Sequence, residues 1–73
     1  MADKKYKIGV IGDGGWGTAV SLLLISNGHQ VTMWGNFPDY VSEMNERREN
    51  VRFLPGVPLP KELKITAMQS DLE

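Results

Sequence analysis

Four glycines fall within six residues at Gly12-Asp13-Gly14-Gly15-Trp16-Gly17, and the spacing Gly12-x-Gly14-x-x-Gly17 is where the chain is best equipped for chemistry. The chemistry is anion binding. If a strand precedes the turn and a helix follows it, Gly12 permits the tight exit from the strand and Gly14, lacking a Cβ, lets backbone approach a pyrophosphate. Gly17 then allows helix and strand to pack closely. The anion would rest on free N–H groups at the helix start, where the helix dipole adds attraction. With eight glycines in 73 residues, the same spacing also suits a tight strand-to-helix connection that binds nothing, so the flanking elements matter.

Two residues complicate the pattern. Asp13 sets a carboxylate between the first two glycines, near where a doubly charged pyrophosphate would lie. About 20 residues beyond the glycines, an Asp or Glu would grip a ribose 2′-hydroxyl and select NAD, or an Arg would accept the 2′-phosphate of NADP. This chain has Gly35-Asn36-Phe37 there. Asn36 can hydrogen-bond a ribose hydroxyl without repelling a phosphate, and it can equally cap the next helix, so these residues do not choose between NAD and NADP. Trp16 reads as a packing residue at the helix start that also stands beside any bound phosphate, and His29 as the end of a turn. No Ser/His/Asp arrangement, paired carboxylates or HExxH spacing accompanies the turn. A binding motif is present without a catalytic one.

The elements that must hold the turn are legible from periodicity. Residues 6–11 alternate Tyr6, Ile8 and Val10 against Lys7, Gly9 and Ile11, the two-residue period of a strand. After the glycines the period lengthens: Trp16, Val20, Leu23 and Leu24 share one helical face and Ala19, Leu22 and Ile25 widen it, so this helix is expected to be largely buried. Asn27-Gly28 ends it. Residues 30–34 form a second strand. A second helix starts near Pro38, with Asp39 in its first turn and Phe37, Val41 and Met44 as its apolar stripe, and fades at Asn50. Glu43 and Arg47 face outward at i,i+4 spacing. Residues 51–60 hold three prolines and a glycine, which predicts an ordered loop with buried apolar side chains. Leu63, Ile65 and Ala67 mark a third strand, and Ser70 with Asp71 could cap a further helix. Trp34, Met33 and Met44 read as core.

Strand, glycine turn, helix and strand within about 30 residues make a right-handed βαβ unit with parallel strands. The fold class is α/β: a partial Rossmann-type parallel sheet, βαβαβ, the first mononucleotide-binding half. Composition agrees with a single small globular unit, 41% apolar and 23% charged. With no cysteine and one histidine, disulfides and thiolate zinc sites are excluded. Eight basic against nine acidic residues give a net charge of −1 with no basic stripe, which speaks against nucleic acid. No apolar run approaches a membrane span, and the charged start Met1-Ala2-Asp3-Lys4-Lys5 does not read as a signal peptide. A cytoplasmic location is expected.

With these residues in view, the sequence resembles the N-terminal segment of NAD(P)-dependent glycerol-3-phosphate dehydrogenases. The likeness runs through Ile8-Gly9-Val10-Ile11-Gly12-Asp13-Gly14-Gly15-Trp16-Gly17-Thr18-Ala19, then Asn27-Gly28-His29-Gln30-Val31-Thr32-Met33-Trp34, then Arg48-Glu49-Asn50-Val51-Arg52-Phe53-Leu54-Pro55-Gly56-Val57-Pro58-Leu59-Pro60. Trp16 makes the first block more specific than a bare glycine fingerprint, and the third block is hard to obtain from generic βαβ sequences. The resemblance implies hydride transfer between a nicotinamide cofactor, NAD or NADP, and the pair glycerol 3-phosphate and dihydroxyacetone phosphate, feeding phospholipid synthesis. It implies that Gly12, Gly14 and Gly17 form the pyrophosphate turn, that Gly15 and Trp16 line the cofactor, and that Asn36 and Phe37 lie near the adenosine ribose. Family members commonly carry Arg or His at the latter positions and a small residue in place of Asp13.

In this family the catalytic lysine and the groups that hold the substrate phosphate come from later segments, chiefly a C-terminal helical domain. The expectation is therefore that residues 1–73 are the N-terminal dinucleotide-binding part of a longer enzyme, inactive alone. Its expected partners are the cofactor, a small phosphorylated substrate in the full-length parent and a second copy in a homo-oligomer. The alternatives are a small nucleotide-sensing or interaction module, or another Rossmann enzyme such as a flavoprotein or methyltransferase, which leaves Trp16 and Leu54-Pro55-Gly56 unexplained.

Overall fold

The computed structural model describes residues 5–72, so the charged start over residues 1–4 lies outside the described residues. Three parallel strands form the central sheet in the order β1-β2-β5: β1 (Lys7–Ile11), β2 (Gln30–Trp34) and β5 (Lys64–Thr66). Lys7 pairs with Gln30 and Ile11 with Trp34, while Thr32 pairs with Lys64 and Trp34 with Thr66. Helix α1 (Gly15–Ser26) links β1 to β2, and α2 (Pro38–Arg47) begins the link to β5. This is the strand order of the first half of a doubly wound sheet.

Both helices cover one face. Val31, Met33 and Ile65 point from the sheet into a cluster with Tyr40, Val41 and Met44 of α2, closed below by Leu59 and Leu63. Val10, Leu22 and Ile25 pack against it from β1 and α1. The opposite face carries Lys7, Gly9 and Ile11 of β1, all exposed. There a final 3₁₀ turn (Gln69–Leu72) brings Asp71 onto Thr66, whose Oγ1 donates to Asp71 Oδ2 at 2.5 Å. The predicted cap at Ser70 and Asp71 is thus this short turn rather than the start of a longer described helix.

Helix α1 departs from the expected burial. The residues it seals are Thr18 and Ser21, and its inner line runs through Thr18, Ser21, Leu22 and Ile25; Trp16 is 84% and Leu23 61% exposed. The apolar surface goes almost all the way round, so periodicity could not say which stripe faces the sheet. Small side chains win the contact because they let the helix lie close to the strands. Trp34, read as core, is half-buried, whereas Met33 and Met44 are fully buried. The end of α1 behaves as expected: Gly28 takes φ +89°, its N–H donates to Ile25 O at 2.8 Å, and His29 Nδ1 accepts from the Tyr6 N–H.

Helix α2 opens on Pro38 and carries the Glu43–Arg47 ion pair at 3.1 Å. It stops at Arg47 rather than fading at Asn50, because Arg48 adopts the left-handed conformation at φ +52°. Two side-chain bonds hold Arg48 there, to Pro60 O at 2.5 Å and Leu63 O at 2.8 Å. The predicted loop over residues 51–60 is instead a two-stranded antiparallel ribbon, β3 (Glu49–Asn50) with β4 (Leu54–Pro58). Its prolines are tolerated because a two-stranded ribbon has a free outer edge. Its apolar side chains are mostly not buried: Val51 and Phe53 are exposed, and Leu59, just beyond, is the one that enters the core.

Candidate functional site

The turn between β1 and α1 is built as its spacing predicts. Gly12 sits at φ +112°, a conformation that side chains rarely tolerate, and its N–H donates to Trp34 O at 2.8 Å, tying the exit of β1 to the end of β2. Gly17 lies so close to the strand that a Cβ there would stand 2.5 Å from Gly12 O and 3.6 Å from Val10 Cγ1. Gly15 would meet the Phe53 carbonyl oxygen at 2.8 Å, so the β3–β4 connection also crosses the helix start. Gly14 differs. A Cβ there would meet nothing within 4 Å, and its φ of −68° is ordinary.

Gly14 caps α1 without any side-chain hydrogen bond, and the first helical bond runs from Thr18 N to Gly14 O at 2.9 Å. The N–H groups of Gly15, Trp16 and Gly17 therefore have no intrahelical acceptor. They converge at the positive end of the helix dipole, with open space over Gly14. No acidic side chain stands in the first turn of α1. The arrangement fits a diphosphate resting on backbone amides.

A residue outside every sequence motif of the turn, Asn50, holds it in place. Asn50 is fully buried. Its Nδ2 donates to Asp13 O at 2.6 Å and to Thr18 Oγ1 at 2.8 Å, while its Oδ1 accepts from the Tyr40 hydroxyl and from Phe53 N at 3.3 Å. The Tyr40 oxygen in turn accepts from Arg52 N at 3.0 Å. One amide thus joins the glycine turn, α1, α2 and the ribbon. Its partner 37 positions away cannot be read from local spacing; the signal available was an asparagine that follows the charged run 46–49 just past an amphipathic helix.

Asp13 turns its carboxylate toward the end of β2. Its Oδ2 is buried with no hydrogen-bond partner among the described residues, and it lies where a Cβ on Gly35 would stand. Asn36 is exposed beyond it. The capping role weighed for Asn36 is not realised: Phe37 occupies the N-cap of α2, with no side-chain cap bond. Phe37 is 64% exposed and, with Asp39, Tyr40, Glu43 and Arg52, lines a surface hollow. The Arg52 guanidinium lies over the Tyr40 ring, 5.1 Å from its centre. Trp16, expected to pack, instead presents its indole to solvent at the second position of α1. Seven predicted residues thus fall in two groups along the C-terminal ends of β1 and β2: Gly12, Gly14, Gly15, Trp16 and Gly17 after β1, Asn36 and Phe37 after β2. Among the described residues no group of His, Asp or Glu is arranged to hold a metal ion, and no helix is long and apolar enough to cross a membrane.

Comparison with known proteins agrees with this geometry. A family profile described as the N-terminus of NAD-dependent glycerol-3-phosphate dehydrogenase matches residues 7–73. The glycerol-3-phosphate dehydrogenase [NAD(P)+] of Bacillus mycoides (strain KBAB4) is 56% identical over 54 residues, covering 74% of this chain and 16% of the relative. That of Streptococcus thermophilus (strain ATCC BAA-491 / LMD-9) is 46% identical over 61 residues, covering 84% and 18%. The crystal structure of glycerol-3-phosphate dehydrogenase from Coxiella burnetii superposes with a TM-score of 0.84 at 34% identity, over 97% of this chain and 22% of that one. The Plasmodium falciparum glycerol-3-phosphate dehydrogenase structure gives 0.78 at 28% identity, over 96% and 22%. The chain therefore spans about a sixth of the length of the curated relatives it matches.

Proposed function

The chain belongs to the family of NAD-dependent glycerol-3-phosphate dehydrogenase N-termini, and from that premise we propose that its glycine turn seats the pyrophosphate of NAD or NADP. The observation that carries this is the set of N–H groups of Gly15, Trp16 and Gly17 without an intrahelical acceptor, beside the open space at Gly14. Gly12 and Gly17 shape the turn, Gly14 and Gly15 present bare backbone, and Trp16 shields the phosphates from one side. Asn36 and Phe37 border the adenosine ribose.

Residues 1–73 are on this reading the N-terminal dinucleotide-binding part of an enzyme that interconverts glycerol 3-phosphate and dihydroxyacetone phosphate. When bound, the nicotinamide supplies or accepts the hydride. The residues of this chain bind and orient the cofactor through backbone amides and a helix dipole, and the groups that hold the phosphorylated substrate and move the proton belong to segments after Glu73. A cytoplasmic, homo-oligomeric parent enzyme completes the proposal. Its test is turnover: the full-length protein is expected to oxidise NADH or NADPH when given dihydroxyacetone phosphate, and the 73-residue chain to do nothing above blank. A full-length protein without that activity, or turnover by the chain alone, would overturn it.

A further inference from the structure

The amides of the turn account for a diphosphate but give no role to the carboxylate that lies beside them. Asp13 Oδ2 is shut off from solvent with no donor facing it among the described residues. Burying a carboxylate oxygen in this way is costly, and native proteins keep such groups where a function needs them. The arrangement is specific. The Asp13 carbonyl is pinned by Asn50 Nδ2 at 2.6 Å and lies 3.4 Å from the Thr18 hydroxyl, so the residue has little freedom to swing away. Gly35 makes room for the side chain: a Cβ there would collide with Asp13 Oδ2 and stand 2.7 Å from Val41 Cγ2. Asp13 thus follows β1 in sequence and packs on the residue that follows β2, which sets its carboxylate between the ends of the two strands.

That place has a known demand. In a dinucleotide site the adenosine ribose lies past the end of the second strand, and a carboxylate there favours the free 2′-hydroxyl of NAD over the 2′-phosphate of NADP. The chain supplies no acid at Gly35, Asn36 or Phe37. We propose, building on the dinucleotide reading above, that Asp13 takes over this task from within the glycine turn and makes the protein NAD-selective. Oδ2 is held against Gly35, which leaves Oδ1 as the oxygen to accept from the ribose hydroxyl. A 2′-phosphate brought to the same place meets a like charge. The basic side chain lining the hollow beside Phe37, Arg52, is engaged with the face of the Tyr40 ring.

The experiment is calorimetric titration of the full-length protein and its Asp13→Ala and Asp13→Asn variants with NADH, NADPH and 2′-deoxy-NADH, with melting curves of the unliganded proteins. The unsubstituted protein is expected to hold NADH roughly tenfold or more tighter than NADPH, and to lose a similar factor when the 2′-hydroxyl is removed. In Asp13→Ala the affinities for NADH and 2′-deoxy-NADH converge, and in both variants the NADH-to-NADPH ratio collapses toward one. Asp13→Asn keeps the shape of the side chain and carries the comparison if Asp13→Ala does not fold. An unchanged ratio in the variants, or a preference for NADPH in the unsubstituted protein, overturns the role of Asp13 and leaves the dinucleotide site standing. Binding of neither cofactor overturns both.

Discussion

The side-chain amide of Asn50 donates to the backbone carbonyl of Asp13 at 2.6 Å, so the glycine turn is fixed by a residue 37 positions later in the chain. The same amide group holds the Thr18 hydroxyl, and its oxygen takes the Tyr40 hydroxyl. Asn50→Ala removes both donors and strands Tyr40 and the Asp13 carbonyl in a buried setting. A stability loss of about 3 kcal/mol is expected by denaturant titration, from the four lost side-chain bonds and the groups left unpaired. Asn50→Asp keeps the size but cannot donate to the carbonyl; NADH affinity is expected to fall even under conditions where the variant is folded, as calorimetry would report.

Gly14 and Gly17 separate binding from folding. Gly14 has an unstrained φ of −68° and nothing within 4 Å of a built Cβ. Gly14→Val is expected to leave the circular dichroism spectrum intact and to cost about 1 kcal/mol or less in stability. NADH binding is expected to weaken on the order of a hundredfold, because the new side chain would stand where the proposed diphosphate seat lies. Unchanged NADH affinity in Gly14→Val would show that the turn is only a connection.

At Gly17 the order of effects reverses. A Cβ there stands 2.5 Å from the Gly12 carbonyl oxygen, which is backbone and cannot move aside cheaply. Gly17→Ala is expected to lose about 1–3 kcal/mol by forcing α1 away from β1, with a lower melting temperature before any ligand is added. Equal melting temperatures for Gly17→Ala and the unsubstituted protein would contradict the close approach of helix and strand.

Arg48 combines a left-handed backbone with a structural side chain. Its guanidinium bonds Pro60 O, Leu63 O and Asn45 Oδ1, joining the end of α2 to the start of β5. Arg48→Ala loses these bonds and keeps the unfavourable φ of +52°, for an expected loss of about 2 kcal/mol. Arg48→Gly loses the same bonds but is freed of the backbone penalty, so it is expected to melt roughly 1 kcal/mol above Arg48→Ala. Chemical denaturation of the pair side by side measures that difference.

Where local spacing carried the information, the sequence was a good guide. The change from a two-residue period to a helical one around Gly12–Gly17, the proline opening α2 and the alternation through Leu63 and Ile65 each report on neighbours within a turn or a strand, and the structure has those elements. What stayed hidden depends on distant partners. The ribbon of Glu49–Asn50 with Leu54–Pro58 forms because Arg48 reverses the chain and is stapled to Pro60 and Leu63, and prolines in that stretch disguise an edge strand as a loop. The inward stripe of α1 is not legible from apolar periodicity, because Thr18 and Ser21, small and polar, outcompete Trp16 and Leu23 for the sheet. The hub at Asn50 had no pattern to show, since its partners Asp13, Thr18 and Tyr40 come from three separate segments.

The Asn50 anchor also sets a timetable. A polypeptide leaves the ribosome from its N-terminus, so the glycine segment emerges well before the amide that locks it. A nascent chain stalled short of residue 50 would carry every glycine of the turn yet lack its clasp.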